Sequence, residues 1–244
     1  MNIIRTKKAY KAICSLAVHM GATLQSSGNV TNPESVQCPN PLGDPGTGET
    51  VCSLPYSFEE YSENETEISI SFKGITSIDS NIKRLLKLEK LDLRSNDIEI
   101  LPAEIGELEN LQCLNLNSNK LETLPAVIWE LKNLQELLLS DNNIDTLPPK
   151  IVNLKNLQYL DLNNNKLTTL PVEIGSLKNL RVLYLSYNRL ETLPVEISKL
   201  SKSLELLDLT GNNISEEGER EKTLGKKELR AIFEDRVEFN GDVL

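Results

Sequence analysis

The chain has 244 residues and 39% hydrophobic content, enough to bury a sizeable core as one elongated domain with flanking caps. Its formal charge of −10 excludes nucleic acid as a default ligand, because neutralising phosphates needs clustered Lys and Arg. No run of about 18 apolar residues occurs, so the sequence predicts no membrane-spanning helix.

Residues 1–25 start with Arg5, Lys7, Lys8 and Lys11. A mildly apolar run from Ala12 to Val18 follows, closed by His19, Met20, Gly21 and Ala22. A basic start before an apolar run can be a secretory signal. This run is short, poor in leucine and ended by histidine, so the expected reading is a short helical segment, with targeting as the alternative. Residues 26–64 are rich in Ser, Asn, Pro and Gly (Asn32-Pro33, Asn40-Pro41, Asp44-Pro45-Gly46) and read as coil or linker. Cys38 and Cys52 bracket much of that stretch. They would form a disulfide in a secreted protein and stay free thiols in a cytosolic one. Sequons at Asn29, Asn64 and Asn213 fit secretion but arise readily by chance. The expected location is cytoplasmic, with secretion as the alternative.

Residues 65–214 carry the dominant signal. Asparagine returns at Asn96, Asn119, Asn142, Asn165, Asn188 and Asn212, in steps of 23, 23, 23, 23 and 24. Around each lies L-x-x-L-x-L-x-x-N-x-(L/I)-x-x-L-P-x-x-I-x-x-L; the final copy is truncated after Ile214. An earlier copy, roughly 65–87, keeps Ile68, Ile70, Ile75, Ile78, Ile82 and Leu85. It has Lys73 in place of asparagine and Ile78-Asp79 in place of Leu-Pro. A fixed period of this length predicts a solenoid with an atypical terminal copy. The L-x-L pair alternates with period two, as in a short strand. Copies stacking at about 4.8 Å would build one parallel sheet. The P-x-x-I-x-x-L stretch predicts a short helical turn, with proline at its first position. The asparagine amide is expected to satisfy backbone groups where the chain leaves the strand.

Beyond Ile214, residues 215–244 place Leu224, Leu229, Ile232 and Phe233 at helical spacing among charges. This predicts a capping helix over the last copy, with Lys227 and Glu234 facing water.

On these motifs the chain resembles the leucine-rich repeat superfamily, nearest the 23-residue class. That class is typical of intracellular Ras-pathway scaffolds, plant intracellular relatives and the repeat domain of some deadenylases. The resemblance implies an α/β leucine-rich repeat solenoid. Such a fold is a right-handed β-α superhelix with a parallel concave sheet, here of about six to seven repeats between N- and C-terminal caps. Fold alone does not name a ligand.

Signs of chemistry are few. Ser/His/Asp and Cys/His catalysis need a histidine, and the only one is His19. The glycines from Gly43 to Thr50 imitate a phosphate loop, but Glu49 stands where lysine should be. Cys14 and His19 are too few for zinc. Asp92 and Asp161 fall three copies apart, about 14 Å, too far for a shared metal or an acid–base pair. No enzyme, cofactor or metal is expected.

The strand positions between the inward leucines project outward. One column runs Glu67, Lys90, Cys113, Glu136, Tyr159, Val182, Leu206. The next runs Ser69, Asp92, Asn115, Leu138, Asp161, Tyr184, Asp208, and a third runs Phe72, Ser95, Ser118, Asp141, Asn164, Tyr187, Gly211. Early copies are polar; later ones gather exposed tyrosines beside acids, a mixture enriched at protein interfaces. The expected partner-binding residues are Leu138, Tyr159, Asp161, Arg181, Val182, Tyr184, Tyr187, Leu206 and Asp208. The expected function is a monomeric, non-enzymatic scaffold for a protein partner with basic segments. A regulatory subunit of a deadenylase-like assembly and a surface recognition protein are the alternatives.

Overall fold

The leucines of the repeat pair up as the frame requires. The structure is a computed structural model, and it describes residues 54–219 and 222–240. Expectations for residues 1–25, for most of 26–64, and for Cys14, His19, Cys38 and Cys52 lie outside those residues. Each copy contributes three strand residues: β1 (Glu67–Ser69), β2 (Lys90–Asp92), β3 (Cys113–Asn115), β4 (Glu136–Leu138), β5 (Tyr159–Asp161), β6 (Val182–Tyr184) and β8 (Leu206–Asp208). They stack in parallel and in sequence order, with Leu91 beside Leu114, Leu114 beside Leu137, and so on to Leu207. The pairing reproduces both strand columns read from the sequence, residue for residue. Leu116, Leu139, Leu162 and Leu185 form a fully buried file in one continuous core.

The opposite side carries 3-10 turns, among them Ala103–Glu107, Ala126–Glu130, Pro149–Asn153 and Val172–Ser176. Five residues leave room for single i→i+3 bonds, such as Ile105 N–H to Pro102 O at 3.2 Å. The frame's proline was expected at the first helical position. In Pro102, Pro125, Pro148, Pro171 and Pro194 it lies one residue earlier, with extended backbone. There its carbonyl accepts the first bond of the turn, and its missing N–H costs nothing.

The asparagine ladder has the structural job the frame suggested. The Nδ2 of Asn142 donates to Leu139 O at 3.1 Å in its own copy and to Leu116 O at 2.9 Å in the previous one. Its Oδ1 accepts the N–H of Leu121 at 3.0 Å, again in the previous copy. The other rungs repeat this pattern down to Asn212. The bonds to Leu116 O and from Leu121 N–H reach back one copy, and in the first described copy Lys73 stands in the asparagine's place. A second ladder runs behind the sheet. Asn110, Asn133, Asn156 and Asn179 each donate to a carbonyl 24 residues earlier, at 2.7–2.9 Å.

Both ends are closed. Coil was expected up to residue 64, but its last part packs onto the first copy. Phe58 is fully buried between Tyr56 and Tyr61, with ring centroids 5.6 and 5.5 Å away. Asp79, standing where proline would be, accepts the N–H groups of Asn81 at 3.1 Å and Phe58 at 3.3 Å. It therefore caps the first turn and anchors the aromatic cap together. At the other end the expected helix is α1 (Lys226–Phe233), which buries Leu229 and Phe233 while Lys227 and Glu234 are exposed. Leu224 is buried in the core as expected, but in β9 (Thr223–Leu224), antiparallel to β7 (Leu193–Pro194), rather than in the helix. After α1, β10 (Val237–Glu238) adds an eighth strand beside β8, and Arg236 donates to Leu204 O at 3.0 Å and Phe233 O at 3.0 Å. A lone arginine and a two-residue strand carry no periodic signal, so the sequence did not announce them.

Candidate functional site

The outward strand positions divide the concave sheet into two halves. In the first half, polar side chains of adjacent copies pair: Lys90 Nζ lies 2.6 Å from Glu67 Oε1, and Cys113 Sγ donates to Glu136 Oε2 at 3.5 Å. Within one copy, Arg94 Nε lies 3.4 Å from Asp92 Oδ2. Burial, with Glu136 beside it, pushes the Cys113 thiol far up, so this cysteine is no ready nucleophile.

In the second half the side chains are apolar and pack on each other. Val182, Tyr184 and Leu206 form a small cluster of their own, separate from the main core, with Tyr159 against it. The Tyr159 and Tyr184 rings meet edge to face at 5.6 Å. The sequence predicted exposed anchors here. Instead Val182, Tyr184 and Leu206 retain only 7%, 9% and 8% exposure, because neighbours about 4.8 Å away cover one another's flanks. Tyr159 and Leu138 are half-buried.

Asp161 lies between Leu138 and Tyr184 in the strand register. Burial pushes its carboxyl up to about 6; Asp141 and Asp208 add to the rise, and the Asn163 N–H opposes it. Asp161 and Asp208 also have a local structural role that the sequence reading did not assign. Asp161 Oδ1 accepts the N–H of Asn163 at 3.1 Å and Asp208 Oδ1 that of Thr210 at 2.9 Å. Asp92 and Asn115 do the same with Arg94 and Asn117, both at 3.1 Å. These are Asx turns that shape the strand exit. Asp and Asn recurring in one column was the signal that could have revealed them.

The third column is not part of the sheet at all. Phe72, Ser95, Ser118, Asp141, Asn164 and Tyr187 have φ between 50° and 56°, and Gly211 has 76°. The chain turns there through the left-handed region, which Asn, Asp and Gly tolerate best. Tyr187 therefore sits on the rim, 63% exposed, with its ring lying over Gly211, where a Cβ would meet it at 2.7 Å. Arg181, expected among the partner-binding residues, is exposed and holds Glu205, Nε to Oε1 at 2.9 Å. The structure thus brings Leu138, Tyr159, Asp161, Val182, Tyr184, Leu206 and Asp208 onto one surface and sets Tyr187 and Arg181 at its borders.

A repeated strand–turn frame, an asparagine ladder and a closed cap at each end define a stacked-repeat protein with one broad concave sheet. The family described as leucine rich repeat matches residues 132–190 and 155–214, and that described as leucine-rich repeat region matches residues 73–158. Together they span more than half of the chain, which belongs to the leucine-rich repeat superfamily. Among solved structures, a leucine-rich repeat protein of Leptospira interrogans is 37% identical, with a TM-score of 0.57 over 72% of this chain. The match spans 48% of that protein, about half its length. The leucine-rich repeat ectodomain of the plant membrane receptor kinase GASSHO1/SCHENGEN3 from Arabidopsis thaliana is 38% identical, with a TM-score of 0.52. It was solved in complex with Casparian strip integrity factor 2, and the match covers 56% of this chain and 17% of that one. No curated protein matches. Domains of this fold commonly mediate protein–protein interaction. Among the described residues no helix is long and apolar enough to cross a membrane.

Proposed function

We propose that the protein is a non-enzymatic scaffold that holds a protein partner on the second half of its concave face. One observation carries this reading. A continuous apolar surface of Tyr159, Val182, Tyr184 and Leu206 lies outside the main core, bordered by Asp161 and Asp208. A partner offering an apolar side chain flanked by Lys or Arg would cover the apolar surface and match the acids. Tyrosine suits such a site because it adds contact area at low entropic cost. The complex in which the Arabidopsis ectodomain was solved supports docking on a solenoid of this kind. The chain acts as a monomer in the cytoplasm in this reading. Alkylation of Cys38 and Cys52 under non-reducing conditions tests the location, since protected thiols would favour the secreted alternative.

The deciding experiment places a photo-crosslinking residue at Leu138 or Glu136 in the full chain and identifies the attached protein. Tyr184→Ala and Tyr159→Ala should abolish that adduct while circular dichroism stays unchanged. An adduct of undiminished yield in both variants would remove the second half of the sheet from consideration.

A further inference from the structure

Behind the sheet, the residue after the last leucine of the turn is Leu86, then Glu109, then Lys132, Lys155 and Lys178; in the 24-residue copy Lys202 follows one place later. All four lysines are exposed, and among the described residues none joins an ion pair. The chain as a whole carries a formal charge of −10, so an unneutralised row of one sign is unexpected. The row is also held in place. Asn156 Nδ2 donates to Lys132 O at 2.9 Å and Asn179 Nδ2 to Lys155 O at 2.8 Å, so adjacent copies touch at this edge. Three residues after Lys132 and Lys155 stand Gln135 and Gln158, part of an amide file running Gln158 to Gln135 to Gln112 at 3.4 and 3.5 Å. Of the acids adjacent to the row, Glu109 holds the row position in the copy before Lys132, and Glu130 accepts from Asn153 Nδ2 at 3.3 Å.

We infer that this edge is a second docking surface, separate from the concave face, and that it takes an extended acidic polypeptide segment. The row is one residue wide with copies roughly 5 Å apart, whereas carboxylates on one face of an extended chain recur about every 6.8 Å. Flexible lysine stems bridge that difference. A membrane surface would call for a broad basic plane rather than a single file bordered by amides. The acidic remainder of the molecule repels an anionic chain elsewhere, which fixes where it can settle.

The test is fluorescence anisotropy of a labelled ten-residue polyglutamate peptide with the full chain at low salt. Replacing Lys132, Lys155 and Lys178 by Glu should weaken binding about tenfold or more, and raising salt should weaken binding to the unaltered chain. A control with the same charge change on the opposite rim, Lys73→Glu, Lys166→Glu and Arg189→Glu, should stay within about twofold. Equal losses in both triple variants, or no binding by the unaltered chain, would overturn the inference. Sedimentation with phosphatidylglycerol vesicles in place of peptide binding would overturn it too, in favour of an anionic surface.

Discussion

The strands β1–β4 and the strands β5, β6 and β8 share one parallel register and one buried leucine file, yet their outward faces differ. The first half ends in pairs such as Lys90–Glu67 and Cys113–Glu136, in which polar groups of adjacent copies face each other. The second half ends in Tyr159, Val182, Tyr184 and Leu206, which pack on one another and keep only a narrow apolar strip open to water. The frame therefore fixes where outward residues stand and leaves their chemistry free. Docking capacity comes from that free choice rather than from the fold.

The largest expected effect tests whether the halves are equal beneath the surface. Leu116→Ala lies under the polar half and Leu185→Ala under the apolar half, both in the same fully buried file. Each should cost about 2–5 kcal/mol in urea denaturation. Costs differing by more than about 3 kcal/mol, the width of that range, would show that the halves differ in packing as well as in lining. Asn142→Ala comes next, at the join between the halves. It removes the partner of Leu121 N–H and should cost about 1–3 kcal/mol with no loss of partner specificity beyond that instability. A stable variant that lost its partner would turn the ladder into a functional element.

Asp161→Asn tests the electrostatics of the apolar half. Its carboxyl is raised, so the fold favours the protonated form. That relative stabilisation is complete below the ordinary carboxylate range near pH 4 and is lost as pH rises through about 6. Asn keeps the acceptor for Asn163 and carries no charge. It should match the unaltered chain near pH 4 and exceed it by about 1–2 kcal/mol at pH 7, allowing for solvent screening. Thermal melts at the two pH values decide; an equal difference at both would locate the effect elsewhere. The smallest effect is expected in the polar half. Lys90→Ala should change stability by less than about 1 kcal/mol, because both partners of its ion pair are partly solvated.

The strand columns were legible in the sequence because a fixed period sets register without any tertiary information. The same period misled at Tyr187. Ser95, Ser118, Asp141, Asn164 and Gly211 have turn composition, but Phe72 and Tyr187 share their column and disguise a left-handed turn as an outward strand position. The burial of Val182 and Tyr184 was hidden for another reason: alternation tells which way a side chain points, and its neighbours decide how much of it water still reaches. The caps were the least legible. Phe58, Asp79 and Arg236 act once each, and a residue that does not recur leaves no pattern to read.

The backward reach of the asparagine ladder has a consequence for synthesis. The N–H of Leu121 finds its acceptor only in Asn142, and that of Ile144 only in Asn165, 21 residues later in each case. A chain leaving the ribosome therefore carries at its growing end one copy whose turn cannot close until most of the next has emerged. Order should advance in steps, one copy behind translation, and protease digestion of chains stalled at successive lengths would display that lag as protection rising in intervals of one repeat.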